Sequence, residues 1–275
     1  MKMECGICPH KCALDEGETG FCKARVNLNG KIICKNYGLI SSVALDPIEK
    51  KPLKNFMPNS KILSVGSFGC NLRCPFCQNY SISMADGTGM KLYSISKEEL
   101  VEEAVLLREK GNVGIAYTYN EPLIGFEFVY DCAVLAREAG LKNIVVTNGY
   151  ICEEPFLKLL PFIDAMNIDL KGFTEGFYKK VNGDLKTVKN SIRIAAKNCH
   201  VEITTLIIPG ENDSEEEMDK LSKWISEIRE DIPLHITKFY PQYKYLDKEA
   251  TSVSKISNLV KVARKHLEFV YMGNC

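Results

Sequence analysis

The chain has 275 residues, with thirty-five basic side chains balanced by thirty-five acidic ones. Such neutrality excludes a whole-chain nucleic-acid binder, which carries a clear basic excess, and no apolar run approaches the roughly 20 residues that cross a bilayer. At 45% hydrophobic the chain has ample material for one large domain. The start, Met1-Lys2-Met3-Glu4-Cys5, lacks the apolar stretch of a secretory signal, so the sequence reads as cytoplasmic.

Residues 1–58 differ from the remainder. They hold four cysteines within Cys5–Cys22, one strand-like run at Lys31–Asn36, and a proline-punctuated charged stretch, Asp46–Leu53. The expectation is a small metal-held segment followed by an extended connector too polar to be buried whole. From residue 59 the pattern is regular. Apolar strands are expected at Ile62–Val65, Gly114–Tyr117, Asn143–Thr147, Ala165–Leu170, Val201–Ile208 and Leu234–Phe239, with a last strand at Phe269–Met272. Between them fall amphipathic helices: one opened by a Ser96/Glu99 capping box, then Ile124–Ala139, Glu153–Leu160 and Leu185–Lys197. A second capping box, Ser214 with Glu217, opens the next helix, and the last carries Val253, Ile256, Leu259, Val260, Ala263 and Leu267 on one face.

This alternation predicts an α/β fold with a parallel sheet. The first strand is not followed by G-x-G-x-x-G, which disfavours a dinucleotide fold, and the units are too few for an eight-fold barrel. The expected architecture is a partial (β/α)6 TIM-like barrel over residues 59–275, with the Cys-rich segment of residues 1–58 in front. In such folds ligands sit at the carboxyl ends of strands.

Twelve cysteines are too many and too clustered for bystanders, and in a reducing compartment they point to metal, iron–sulfur or redox chemistry. Cys34, Cys132, Cys152, Cys199 and Cys275 read as small core fillers. Cys70, Cys74 and Cys77 lie in one loop after the first strand. Three thiolates on a cubane leave one iron open for catalysis, whereas a plain electron-transfer site takes four protein ligands. The alternative is a four-ligand site completed from elsewhere, with Cys34 the candidate.

The Cys-x-x-x-Cys-x-x-Cys loop, with Phe76 before its last cysteine, resembles the cluster loop of radical S-adenosylmethionine (SAM) enzymes. The words Asp46-Pro47-Ile48-Glu49-Lys50-Lys51-Pro52-Leu53, Gly69-Cys70-Asn71-Leu72, Cys77-Gln78-Asn79 and Tyr117-Thr118-Tyr119-Asn120-Glu121-Pro122 resemble the members named for neighbouring AMMECR1-like and Memo-like proteins. These are relatives of the pyruvate formate-lyase activating enzyme. The resemblance implies that Cys70, Cys74 and Cys77 hold a [4Fe–4S] cluster whose open iron is chelated by SAM. An electron then cleaves SAM to methionine and a 5′-deoxyadenosyl radical, which abstracts hydrogen from a substrate, with glycyl-radical-enzyme activation as one branch. It further implies SAM contacts from Phe76, Asn120, Glu121, Asn148, Asp169 and Lys171. A carboxylate at Glu121 suits the SAM ammonium, and Lys171 its carboxylate. Where activases carry an aspartate before Thr-Asn-Gly this chain has Val146, and where they carry a histidine it has Tyr243; His235 reads as a satisfied barrel histidine. The resembled branch continues past Gly273-Asn274 into a cysteine pair, where this sequence has only Cys275.

Cys5, Cys8, Cys12 and Cys22, with His10 beside them, suit a tetrahedral zinc or a second [4Fe–4S] cluster, which spacing does not separate. The implied partners are an external one-electron reductant of flavodoxin or ferredoxin type and a protein or small-molecule substrate, with no nucleic acid and no membrane. The competing reading is a non-catalytic iron–sulfur or zinc protein, an electron carrier or scaffold, that retains the fold.

Overall fold

The computed structural model describes residues 2–275. Eight strands form its main sheet: β1 (Ser42–Pro47), β2 (Lys61–Gly66), β3 (Asn112–Tyr117), β4 (Lys142–Thr147), β5 (Ala165–Asp169), β6 (His200–Ile207), β7 (Leu234–Lys238) and β8 (Val270–Gly273). Each lies beside its sequence neighbour. From β2 to β8 the pairing is parallel, whereas β1 runs antiparallel to β2. Six helices make the crossovers: α1 (Lys97–Leu106), α2 (Phe126–Glu138), α3 (Glu153–Leu159), α4 (Leu185–Ala195), α5 (Glu215–Ser226) and α6 (Val253–Ala263). With β1 and β8 at opposite edges the sheet is an open, partial (β/α)6 barrel.

The helices begin where hydroxyl and carboxylate side chains cap them. Ser96 and Glu99 form the full reciprocal box on α1. On α5 only half forms: Ser214 accepts the Glu217 amide, but the Glu217 carboxylate turns away to accept the Phe173 amide at 2.6 Å. The better-fixed donor wins, and α5 is thereby tied to the loop after β5. On α6 the buried stripe is Ile256, Leu259, Val260 and Ala263, while Val253 is exposed in the first turn.

Strand alternation divides the core in two. Leu63, Val65, Ile115, Tyr117 and Val145 pack with the helices, alongside Leu100, Ala133 and Phe156. Ile62, Ala116 and Ile144 face the other way and pack against Ile48 and Leu53. The connector, expected to be too polar to be buried whole, keeps Pro47 and Lys50 exposed. Its first two residues end β1, and Ile48 and Leu53 are fully buried within the barrel, contributing about 2 kcal/mol each by area. Its charges are neutralised locally, because Asp46 accepts from Lys50 at 3.1 Å and Lys51 at 2.9 Å. The β1–β2 ladder ties the amino-terminal segment, which carries Cys5–Cys22, to the strand that opens the barrel.

That segment carries a missed strand, Arg25–Leu28, which forms a hairpin with Lys31–Cys34. Arg25 is buried there and grips Glu127 of α2 with two bonds, at 2.6 and 2.7 Å. No helix among the described residues is long and apolar enough to cross a membrane.

Candidate active site

The loop leaving β2 is held from several directions. Gly69 adopts φ +86°, and a Cβ there would stand 2.5 Å from the Cys22 carbonyl, so only glycine fits. Asn120, after β3, donates to the Phe68 and Gly69 carbonyls at 3.1 Å and accepts the Ser67 amide at 2.9 Å. Arg73 donates to the carbonyls of Cys70 at 2.6 Å and Leu72 at 2.9 Å, and Asn71 donates to the Tyr150 carbonyl at 2.6 Å. Phe76 is buried between the rings of Phe177 and Tyr245, about 6 Å from each.

So braced, Cys70, Cys74 and Cys77 open onto one cavity of about 370 Å³ at the carboxyl ends of the strands. Burial pushes the Cys74 thiol up to about 12, although Lys171 opposes the shift. Burial also raises Cys70 well above the thiol range, with Glu121, Cys74 and Cys77 adding like-charge repulsion. Cys74 is buried and Cys70 and Cys77 are half-buried beside it, and thiols packed this way with raised pKa values at Cys70 and Cys74 favour the thiolate only when a cation sits among them. That donor set fits a cubane with one iron left open to the cavity. The sulfurs do not stand in a ready-made coordination set of three among the described residues, so the set would close on its metal. Cys34 does not line the cavity; its thiol donates to Asn36 Oδ1 at 3.0 Å.

Phe76, Asn120, Glu121, Asn148, Asp169 and Lys171 all line this cavity, and in that sense the sequence-predicted residues converge. Their availability differs. The Glu121 carboxylate accepts from the Leu123 amide at 3.0 Å, Thr147 Oγ1 at 2.7 Å and the Asn148 amide at 2.8 Å, clamping the end of β3 to that of β4. Burial lifts it to about 7 against those bonds. Asn148 donates to Asn71 Oδ1 at 2.9 Å and to Cys70 Sγ at 3.7 Å. Asp169 and Lys171 face each other at 2.9 Å, partly open to the cavity. Burial opposes the Lys171 charge, but Asp169 and Cys74 raise its pKa above the lysine range.

His235 is buried at the opposite, amino-terminal end of β7, bonded to Glu202 at 2.6 Å. Tyr243 stacks on Tyr80 with centroids 4.6 Å apart. Sequence reasoning missed the wall formed by Lys50, Lys51 and Tyr119. Lys51 is buried and sits 4.5 Å from the centre of the Tyr119 ring, and Tyr119 donates to Asp46 Oδ2 at 2.9 Å. Burial pushes Asp46 up, but the bonds from Lys51, Tyr119 and Lys50 outweigh it and bring it to about 2. The signal was present in the Asp46–Leu53 and Tyr117–Pro122 words, and Tyr119 carries an unusual φ of +72°.

Fold and site define a partial α/β barrel with a three-thiol loop at the end of its first parallel strand. Residues 64–222 match the Radical SAM superfamily, and the chain belongs to that superfamily. The family uses a [4Fe–4S] cluster and SAM, and draws its electron from an external reductant. An uncharacterized protein of Methanocaldococcus jannaschii is 42% identical over 277 residues, covering 99% of this chain and 81% of that one. A pyruvate formate-lyase-activating enzyme of Clostridium pasteurianum is 29% identical over 217 residues, covering 73% and 89%. Among solved structures, Streptococcus suis SuiB bound to S-adenosylmethionine superposes with a TM-score of 0.57 at 11% identity, covering 78% and 52%, a likeness of fold.

Proposed function

We propose that this protein cleaves SAM reductively at a cluster held by Cys70, Cys74 and Cys77 and uses the product to abstract hydrogen from a substrate. One observation carries the reading: three thiols from one loop and the Asp169–Lys171 pair from another open on a single cavity at the carboxyl ends of the strands. Bound there, cluster and SAM supply a one-electron carbon–sulfur cleavage to methionine and a 5′-deoxyadenosyl radical. The chain's own groups do the rest. Lys171 holds the SAM carboxylate, Asp169 a ribose hydroxyl or the sulfonium surroundings, and the free lone pair of Glu121 the ammonium. The apolar wall around Phe76 excludes water.

The electron-carrier alternative is disfavoured because the cavity is lined by three cysteines and has room for a ligand beside them. Similarity to a pyruvate formate-lyase-activating enzyme supports a protein substrate, with glycyl-radical activation as one branch of the proposal. A reductant of flavodoxin or ferredoxin type, and a cytoplasmic location for twelve free thiols, complete the proposal.

The test is anaerobic reconstitution with iron and sulfide, followed by SAM and dithionite, with 5′-deoxyadenosine measured. The Cys70→Ala, Cys74→Ala, Cys77→Ala chain is expected to form none; cleavage surviving that triple change refutes the proposal. Transfer of deuterium from a labelled candidate into 5′-deoxyadenosine identifies the substrate.

A further inference from the structure

Five serine and threonine side chains line the cavity, and three of them give their hydroxyls to the protein. Thr147 donates to Glu121 at 2.7 Å, Thr204 to Asn167 Oδ1 at 2.9 Å and Thr237 to the Thr205 carbonyl at 3.1 Å. Ser83 and Thr118 differ. They are only 4% and 6% exposed, yet neither hydroxyl has a partner among the described residues. Neither oxygen is sealed away, because both side chains face the cavity. A nearly buried hydroxyl without a bond is costly, and two on one cavity are bonding capacity left for a ligand.

The two stand on adjoining pieces of chain. Thr118 follows β3, where Tyr117 packs toward the helices and Ala116 into the barrel, so alternation turns Thr118 inward. Ser83 ends the single helical turn Tyr80–Ser83 that leaves the Cys70–Cys77 loop. Asn79 couples them: its side chain donates to the Tyr119 carbonyl at 2.7 Å, and its own carbonyl accepts the Ser83 amide at 2.8 Å. The same bond supports Tyr119 in its left-handed conformation.

This side of the cavity offers no free charge. Lys50, Lys51 and the Tyr119 hydroxyl are all turned onto Asp46, and the charged groups of SAM have Lys171, Asp169 and Glu121 elsewhere. What remains is two hydroxyls, each able to donate and to accept, with the exposed Gln78 carboxamide beside Cys77. Neutral groups of both kinds match an amide, which also donates and accepts, better than a carboxylate, a phosphate or an ammonium. Beyond them the lip is aromatic. Tyr80 is exposed and stacks on Tyr243, and the exposed Tyr240 donates to the carbonyl of Asn274, itself a lining residue. Rings outside the cavity are of no use to a small amide held within it, but they suit a longer chain crossing the lip.

We propose that Ser83 and Thr118 form the substrate subsite and hold an uncharged main-chain amide of a polypeptide that enters over the Tyr80–Tyr243 lip. This rests on the reading of the cavity as the place of hydrogen abstraction and names the groups that receive the substrate there. The probe is a blocked, uncharged peptide, acetyl-trialanine amide, titrated into the reconstituted, SAM-loaded enzyme and followed by saturation-transfer NMR. The Ser83→Ala, Thr118→Val chain is expected to bind it roughly tenfold more weakly, the effect of two neutral bonds, while its SAM affinity by equilibrium dialysis stays that of the native chain. Thr118→Ser, which keeps the hydroxyl, is expected to bind the peptide as the native chain does, so a lost bond is told apart from a lost fold. No binding of the blocked peptide to the native enzyme, or equal binding by the double variant, overturns the subsite. A matching loss of SAM affinity also overturns it and gives the hydroxyls to SAM. Acetamide bound as tightly as the peptide refutes the polypeptide half. Peptide binding that depends on the two hydroxyls in a chain that cleaves no SAM supports the subsite and refutes the catalytic reading instead.

Discussion

Glu202 offers the most quantitative check on how the barrel is closed at its amino-terminal end. It is fully buried on β6 and accepts four bonds: from the amides of Lys54 at 2.9 Å and Asn55 at 2.7 Å, and from His200 at 3.0 Å and His235 at 2.6 Å. One carboxylate thus joins two strands to the backbone just after Leu53. Burial pushes its pKa up, but the bonds from His200, His235, Lys54 and Asn55 prevail and bring it from 4.5 to about 2. At about 1.4 kcal/mol per unit, that difference is on the order of 3 kcal/mol of stability. Because the folded pKa is depressed, this contribution is fully present above pH 4.5 and is lost as pH falls through about 2. Glu202→Gln cannot ionise, so its deficit against the native chain is expected to be about 3 kcal/mol at pH 6 and to vanish near pH 2. Urea unfolding followed through Trp224, the single tryptophan, measures the difference while cancelling the other carboxylates. A deficit that stays constant from pH 6 to pH 2.5 would refute the reasoning.

Three further outcomes are expected. Gly69→Ala forces a methyl toward the Cys22 carbonyl at φ +86° and should cost about 1–3 kcal/mol, with less iron retained on reconstitution; Gly176→Ala, which meets nothing within 4 Å, is the control, and equal melting of the two counts against the close-contact account. Arg25→Met removes the bidentate grip on Glu127; with Glu127 partly exposed, the loss is on the order of 2 kcal/mol, read as faster proteolysis within residues 2–41, and undiminished resistance would contradict it. Lys171→Met should weaken SAM binding to the reconstituted protein roughly tenfold, the worth of one charge-assisted bond; unchanged affinity by equilibrium dialysis would remove Lys171 from the site.

The parallel strands and their helices were legible because each buries a short apolar run with the right period, from Ile62 to Val65 through to Leu234 onward. The cysteine triplet was legible by spacing alone. What escaped was long-range. Ser42–Pro47 alternates too weakly to announce a strand, and gains its partner only when it meets Lys61–Gly66. Counted residue by residue, the charges of Asp46–Leu53 show that it is not buried whole but not which of its residues go inside. Its two lysines share one carboxylate, and the apolar residues between the charges, Ile48 and Leu53, fill the barrel. Glu217 illustrates the same limit at a helix end, where Phe173, forty-four residues away, outcompetes the local cap.

The residues assigned from the sequence to SAM divide, in three dimensions, by how much of their bonding capacity is already used. Asn120 and Asn148 use both ends of their amides on protein groups, and Glu121 has three donors on its two oxygens. Their shared effect is to lock the ends of β3 and β4 to the loop bearing Cys70. A four-carbon wall lysine and a tyrosine at φ +72° are instead held at the cavity by Asp46, and Asp169 with Lys171 spend their charges chiefly on each other. Asp46 and Glu49 balance Lys50 and Lys51 along the stretch Asp46–Leu53, and both lysines are turned onto Asp46, so this wall shapes the cavity without adding net charge. Lys171, partly open to the cavity beside Asp169, is the cation proposed to meet an anionic group there, at the cost of exchanging one carboxylate partner for another.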